Sequence, residues 1–258
     1  MSSQAAIALP ETIEIVGVRL EVKAWEGTGT PILLLHEGLG SVAMWRDFPA
    51  TLARRTGHPV IAWSRTGYGQ SDPLAQSRDP DYMHREADLA PQVMDALGIA
   101  RAILLGHSDG GSIALIAAAL HPQRVVALIL EAPHVFVEDL AVASIAAARD
   151  HYLASDMGER MARYHRLPDQ VFWRWNDIWL DARFRVWTIE DLLPRIAAPA
   201  LLIQGLDDEY GTLAQLDRIE AALPATARLI LPDCGHSPHR DQPEAVLEAV
   251  AAFVGELQ

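Results

Sequence analysis

The 258-residue chain has a single cysteine, Cys234. One thiol cannot build an internal disulfide framework, which excludes the small stapled secreted domains and fits a reducing compartment. Cys234 is expected to be a small packing residue. Basic residues are scarce: 21 Lys and Arg stand against 34 Asp and Glu, for a formal net charge of −13. That balance disfavours nucleic acid and anionic membrane surfaces as partners. Long hydrophobic runs are missing too. The stretch SIALIAAAL (Ser112 to Leu120) is alanine-rich and too short to span a bilayer. The N-terminal MSSQAAIALPETIEI lacks the basic start and long apolar segment of a signal peptide. These features predict a cytoplasmic protein without membrane contact. The chain also has no repeat, no P-loop, no HExxH motif and no His/acid cluster at metal spacing. No cofactor or metal is therefore expected.

What the chain does have is alternation. TIEIVGVRLEVKAWE alternates apolar and polar residues around Gly17, which predicts an antiparallel hairpin. PILLLH, PVIAW, RAILLG, VVALILE and PALLIQG are short continuous apolar runs, as buried parallel strands require, and ARLILP adds a further strand. Helical spacing falls between them, as in MWRDFPATLARRTG and EADLAPQVMDALG. The predicted fold class is α/β: a mostly parallel central sheet with helices on both faces. The rhythm breaks between residues 135 and 195, a helical, aromatic-rich stretch. The expected organisation is a core of residues 1–134 and 196–258, with 135–195 inserted as a helical lid. In the lid, Phe172, Trp175 and Trp179 share one helical face. Trp175 and Trp179 are candidates to line a substrate pocket.

The segment GHSDGG joins a strand to a helix. Its Gly106-x-Ser108-x-Gly110 spacing marks a sharp turn that lifts Ser108 above the carboxyl edge of the sheet. The glycines are needed because nothing larger fits beside a strained middle residue. The turn also puts Ser108 at a helix N-terminus, whose first N–H groups lack internal partners. A helix-capping serine is the simpler reading. A nucleophile needs a base, and the base needs an orienting acid. CGHSPH supplies His236 after the last strand, and GLDDEYG supplies Asp207 and Asp208 after the preceding one. The order Ser, Asp, His fits a nucleophile on this architecture.

Four elements, HEGLGS, GHSDGG, GLDDEYG and CGHSPHRDQPE, resemble the α/β-hydrolase family, in the family's order and over nearly the whole chain. The resemblance implies a catalytic triad of Ser108, Asp208 and His236, with His239 as an alternative base and Glu131 as an alternative acid. It implies an oxyanion hole built from the N–H groups of Gly38 and Asp109. Each such donor typically contributes ~3 kcal/mol to transition-state stabilisation. His36 is expected to orient the Gly38 loop rather than react, and Arg65 and Tyr68 to order the neighbouring loop. Glu37 departs from the pattern, standing where the family usually has glycine. Its carboxylate must point away from the oxyanion, be paired, or meet something cationic.

The SDGG turn, together with GLGS and with LLPRI before PALLIQG, also resembles the biphenyl-hydrolase-like amino-acid-ester hydrolases. In those enzymes an aspartate beside the nucleophile recognises an amino group. Asp109 and Glu37 are therefore candidate binders of a cationic substrate. The competing role for Asp109 is favourable interaction with its helix dipole. The resemblance implies a serine hydrolase acting on a small-molecule carboxylic ester. Rival chemistries on the same triad are thioester, amide or carbon–carbon bond hydrolysis and perhydrolysis. A slow-turnover ligand sensor is the rival from another class, since fold alone does not decide function.

Overall fold

The computed structural model describes residues 10–257. The expectation for the extreme N-terminus thus lies partly outside the described residues. The predicted hairpin is present: β1 (Thr12–Ile15) and β2 (Val18–Trp25) pair antiparallel across a turn at Val16 and Gly17, both at positive φ. β3 (Ile32–Leu35), β4 (Val60–Trp63), β5 (Ala102–His107), β6 (Val125–Glu131), β7 (Ala200–Gly205) and β8 (Thr226–Leu231) complete one eight-stranded sheet. Its order is β1-β2-β4-β3-β5-β6-β7-β8, and every pairing from β4 to β8 is parallel.

The apolar runs are continuous because both faces of the sheet are covered. Strand periodicity sends alternate side chains to opposite layers. Leu33, Leu35, Ala102 and Leu104 join the core beneath α2 (Tyr82–Ala96) and α3 (Asp109–Leu120). Ile32, Leu34, Ile103 and Leu105 join the opposite core, against α1 (Phe48–Thr56) and α9 (Pro243–Gly255). Helix α3 runs through the centre of the first core, and Asp109 through Ala119 are all buried. That is why this stretch reads as apolar all round rather than amphipathic.

Between β6 and β7 the chain forms α4 (Asp139–Ala154), α5 (Met157–Met161) and α6 (Pro168–Trp179). On α6, Phe172, Trp175 and Trp179 are buried on one side, together with Val171 and Ile178. The chain then returns to the sheet at β7 through two short 3-10 turns; α7 (Ala214–Ala222) links β7 to β8, and the short α8 (Pro238–Asp241) follows β8. Since the strands are parallel, the turns after β3, β5, β6, β7 and β8 all emerge at one edge. That edge gathers Glu37, Ser108, His134, Asp208 and His236.

Candidate active site

Ser108 sits between the last residue of β5 and the first of α3, with φ 54° and ψ −120°. A non-glycine residue there is strained, and the surrounding backbone must hold it. Two hydrogen bonds do so: Ser108 N–H donates to Glu131 O at 2.9 Å, and Gly111 N–H donates to Ser108 O at 2.8 Å. The glycines are spatial necessities. A Cβ at Gly106 would collide with the Gly110 backbone, and one at Gly110 would collide with the Leu35 carbonyl on β3.

Ser108 Oγ lies 2.9 Å from His236 Nε2, and His236 Nδ1 lies 2.8 and 2.9 Å from the Asp208 oxygens. A carboxylate can only accept, so Nδ1 carries the hydrogen and Nε2 is free to take the Ser108 proton. Asp208 is itself fixed. It accepts from Tyr210 N–H at 2.8 Å, Gly211 N–H at 3.2 Å and Gln204 Nε2 at 2.5 Å. Burial favours its neutral form, yet His236 and the Tyr210 N–H hold the carboxyl below its usual range. The alternatives weighed from sequence form a pair of their own. His239 donates from Nδ1 and from its backbone N–H to Glu131 Oε2, at 2.8 and 3.1 Å, with both residues buried. This pair anchors α8 behind His236 and does not reach Ser108.

The Gly38 loop is held from behind. His36 Nδ1–H donates to Glu37 O at 2.8 Å, and His36 Nε2 accepts from Arg65 N–H at 3.1 Å. Arg65 Nη2 donates to Glu37 O at 2.8 Å, and Tyr68 Oη–H to Gly38 O at 2.9 Å. Burial and the Arg65 charge keep the His36 imidazole well below its ordinary pKa, so it is a neutral bridge. Trp175 lies against Gly38, where a side chain would strike its indole.

The structure resolves the Glu37 question in favour of pairing. Its carboxylate faces His107 Nδ1 at 3.7 Å, while His107 Nε2–H donates to the His236 carbonyl at 2.6 Å. Burial opposes charge on both partners, but each sustains the other: His107 is raised and Glu37 lowered from their ordinary values. Sequence reasoning assigned no role to His107, the residue before Ser108. Replacing Glu37 by Gln should therefore drop the His107 imidazole pKa below that of the native protein, because burial is then opposed only by the Glu131 charge and the hydrogen bond to the His236 carbonyl. Titration of the ring nitrogens by NMR reads this directly. An unchanged midpoint would show that Glu37 does not sustain the His107 charge.

For Asp109 the expected cation-binding role needs correction. Its side chain is buried; it accepts from Tyr82 Oη–H at 2.8 Å and Trp179 Nε1–H at 3.2 Å, with Arg65 Nη1 4.0 Å away. A substrate ammonium has no open path to a carboxylate already enclosed by a cation and two donors. Its backbone N–H, as the first helical residue of α3, remains among the donors without an intrahelical partner.

A cavity of about 230 Å³ opens over Ser108 and His236. Glu37, Gly38, Trp175 and Trp179 border it, as do Ala141 and Ile145 of α4. His134 and Tyr210 also line it and were not foreseen from sequence. Burial and the nearby His236 push the His134 pKa down to about 4, so this second imidazole is neutral. Among the described residues, no group of three or more His, Cys, Asp or Glu is arranged to hold a metal ion, and no helix is long and apolar enough to cross a membrane.

A strained serine on a strand-to-helix turn, over a parallel sheet with His and Asp on later loops, defines a hydrolase-type site. The chain belongs to the alpha/beta hydrolase fold family, which matches its residues 30–164. Human serine hydrolase BPHL is similar at 28% identity over 241 residues, 88% of this chain and 80% of that protein. The putative carbamate hydrolase RutD of Pseudomonas savastanoi pv. phaseolicola is 26% identical over 252 residues, 86% of this chain and 93% of that protein. Among solved structures, the enol-lactonase from Burkholderia xenovorans superposes with a TM-score of 0.76 at 22% identity, over 95% of this chain and 99% of that one. That likeness is one of fold. Family membership and these relatives place the chain among the hydrolases.

Proposed function

We propose that the protein is a serine hydrolase that cleaves a small carboxylic ester through an acyl-enzyme. The observation that carries this reading is the continuous Ser108–His236–Asp208 line at 2.9 and 2.8 Å, opening into a cavity. His236 Nε2 takes the Ser108 proton as Oγ attacks the acyl carbon. Asp208 keeps the hydrogen on Nδ1 and stabilises the imidazolium that forms. The Gly38 and Asp109 N–H groups receive the oxyanion. His236 then gives its proton to the leaving alkoxide, and the same imidazole activates the water that frees the acid. Residues 135–195 act as the lid, with Trp175 and Trp179 forming the apolar wall for the substrate. The lone Cys234 supports a cytoplasmic site of action.

Because the Asp109 carboxylate is enclosed, the reading contains no selectivity for α-amino esters through that residue. Steady-state hydrolysis of short p-nitrophenyl esters, with an α-amino ester and its des-amino analogue compared side by side, tests both parts. Multiple turnovers with kcat/KM values within a few-fold for the last two are expected. A single burst without turnover would favour a sensor over an enzyme. A large preference for the α-amino ester, lost in Asp109→Asn, would restore the ammonium-binding role.

A further inference from the structure

His165 lies between α5 and α6, within the stretch inserted between β6 and β7, and it is buried. Both of its ring nitrogens are used. Nδ1 accepts from Gly69 N–H at 3.0 Å, which leaves the hydrogen on Nε2, and Nε2–H donates to Leu39 O at 2.9 Å. The neighbouring Arg166 N–H donates to Gly69 O at 3.0 Å, so this segment is docked on Gly69 in both directions. The Gly69 turn is itself held, since the next N–H, of Gln70, donates to Glu21 Oε2 at 2.9 Å. Burial keeps the His165 pKa below its ordinary value, against the Leu39 carbonyl and the Glu37 and Glu21 charges. The ring is therefore neutral at neutral pH and keeps the acceptor that Gly69 N–H needs.

The loop that His165 reaches is the one that carries the Gly38 N–H. Residues Glu37 to Gly40 form a turn, closed by Gly40 N–H donating to Glu37 O at 3.1 Å. The Glu37 carbonyl and the Gly38 N–H belong to one planar peptide, so a bond that fixes the carbonyl also aims the N–H. His36 and Arg65 hold that carbonyl, and Tyr68 holds the next one, on Gly38. None of these donors belongs to the inserted stretch. The third carbonyl in succession, on Leu39, is held by His165, which does. We infer that His165 is a positioning residue for the proposed oxyanion hole: it seats the Leu39 end of the turn, so the Gly38 N–H is aimed at the oxyanion only while the 135–195 segment is docked.

This role rests on the ester-hydrolase reading above. It makes docking of the lid and assembly of the oxyanion hole one event, because a lid that lifts takes His165 away from Leu39. Trp175, whose indole lies against Gly38, adds a second contact from the same segment. A displaced oxyanion donor weakens binding of the tetrahedral intermediate and leaves ground-state binding alone. The loss therefore falls on kcat rather than KM.

Two substitutions separate the two ring nitrogens. His165→Asn places an oxygen near the Nδ1 position, keeping the acceptor for Gly69 and losing the donor to Leu39. His165→Gln places an amide N–H near the Nε2 position and keeps the donor to Leu39. With short p-nitrophenyl esters, His165→Asn should lower kcat by about 10–100-fold, with KM within about threefold of native. His165→Gln should bring kcat back to within about threefold of native, even where its Tm falls as far. Ring-nitrogen NMR of the native protein should show His165 as the Nε2–H tautomer at neutral pH. An unchanged kcat in His165→Asn, equal kcat losses in both variants, or the Nδ1–H tautomer would overturn the positioning role. A native protein that turns over no ester would overturn the hydrolase reading and this role with it, and that failure shows before any substitution is made.

Discussion

Replacing His236 by alanine should lower kcat by about 10⁴–10⁶-fold for an ester substrate, with the fold intact. The size follows from what the imidazole does. A serine hydroxyl is a weak nucleophile unaided, and in the proposed mechanism His236 Nε2, 2.9 Å from Ser108 Oγ, is the base that activates it. His134 does not substitute: its ring is buried against Trp179, and no hydrogen bond joins it to Ser108 among the described residues. His239 is committed to Glu131. The residual rate then comes from the oxyanion donors and from binding alone. Circular dichroism and Tm separate this loss from misfolding, because His236 lies at the cavity rather than in either core. A loss of less than about tenfold would mean that another group activates Ser108.

The second large effect is on folding. Gly110→Ala should destabilise the protein by more than about 4 kcal/mol, or abolish soluble expression, although alanine is the better helix former. The added methyl would meet the Leu35 carbonyl and, behind it, that of His36. Both are backbone atoms at the end of β3, pinned by β3–β5 pairing and by the Arg65 hydrogen bonds, so neither can move aside. Relief would require α3 to lift from the sheet, which exposes Ile113, Leu115 and Ile116. Urea unfolding measures the change. The contrasting control is Gly98→Ala, where open space surrounds the position and only the positive φ opposes the substitution. That variant should lose far less. A loss at Gly110 no larger than at Gly98 would show that the Leu35 and His36 carbonyls yield to the added methyl.

Much of this arrangement is legible locally in the sequence. The Gly106–Ser108–Gly110 spacing reads as a sharp turn because steric exclusion acts within five residues. The strands read as strands because burial on both faces forces continuous apolar runs. The difficulty begins where partners are remote. Glu37 carried three possible orientations in the sequence. Its partner, His107, lies 70 positions away and is brought beside it by the β3–β5 register that sets Leu35 against Gly106. Asp109 looked open to substrate because nothing nearby in sequence announces Tyr82 or Trp179. They converge on its carboxylate from α2 and α6, and that convergence is a packing outcome. Arg78 shows the same limit. It lies in the polar stretch AQSRDP, where nothing local signals burial, yet packing against the Tyr68 and Tyr82 rings carries it inside. Periodicity and turn chemistry are encoded by neighbours, whereas charge pairing is decided by topology.

The central claim is that Ser108 is a nucleophile made reactive by His236. The most direct measurement is intact-mass and peptide-mapping analysis after exposure to a fluorophosphonate. The expected result is one stoichiometric adduct, mapped to Ser108, formed rapidly in the native protein, absent in Ser108→Ala and slowed by orders of magnitude in His236→Ala. An adduct on another residue, or a Ser108 adduct that forms equally fast without His236, would contradict it.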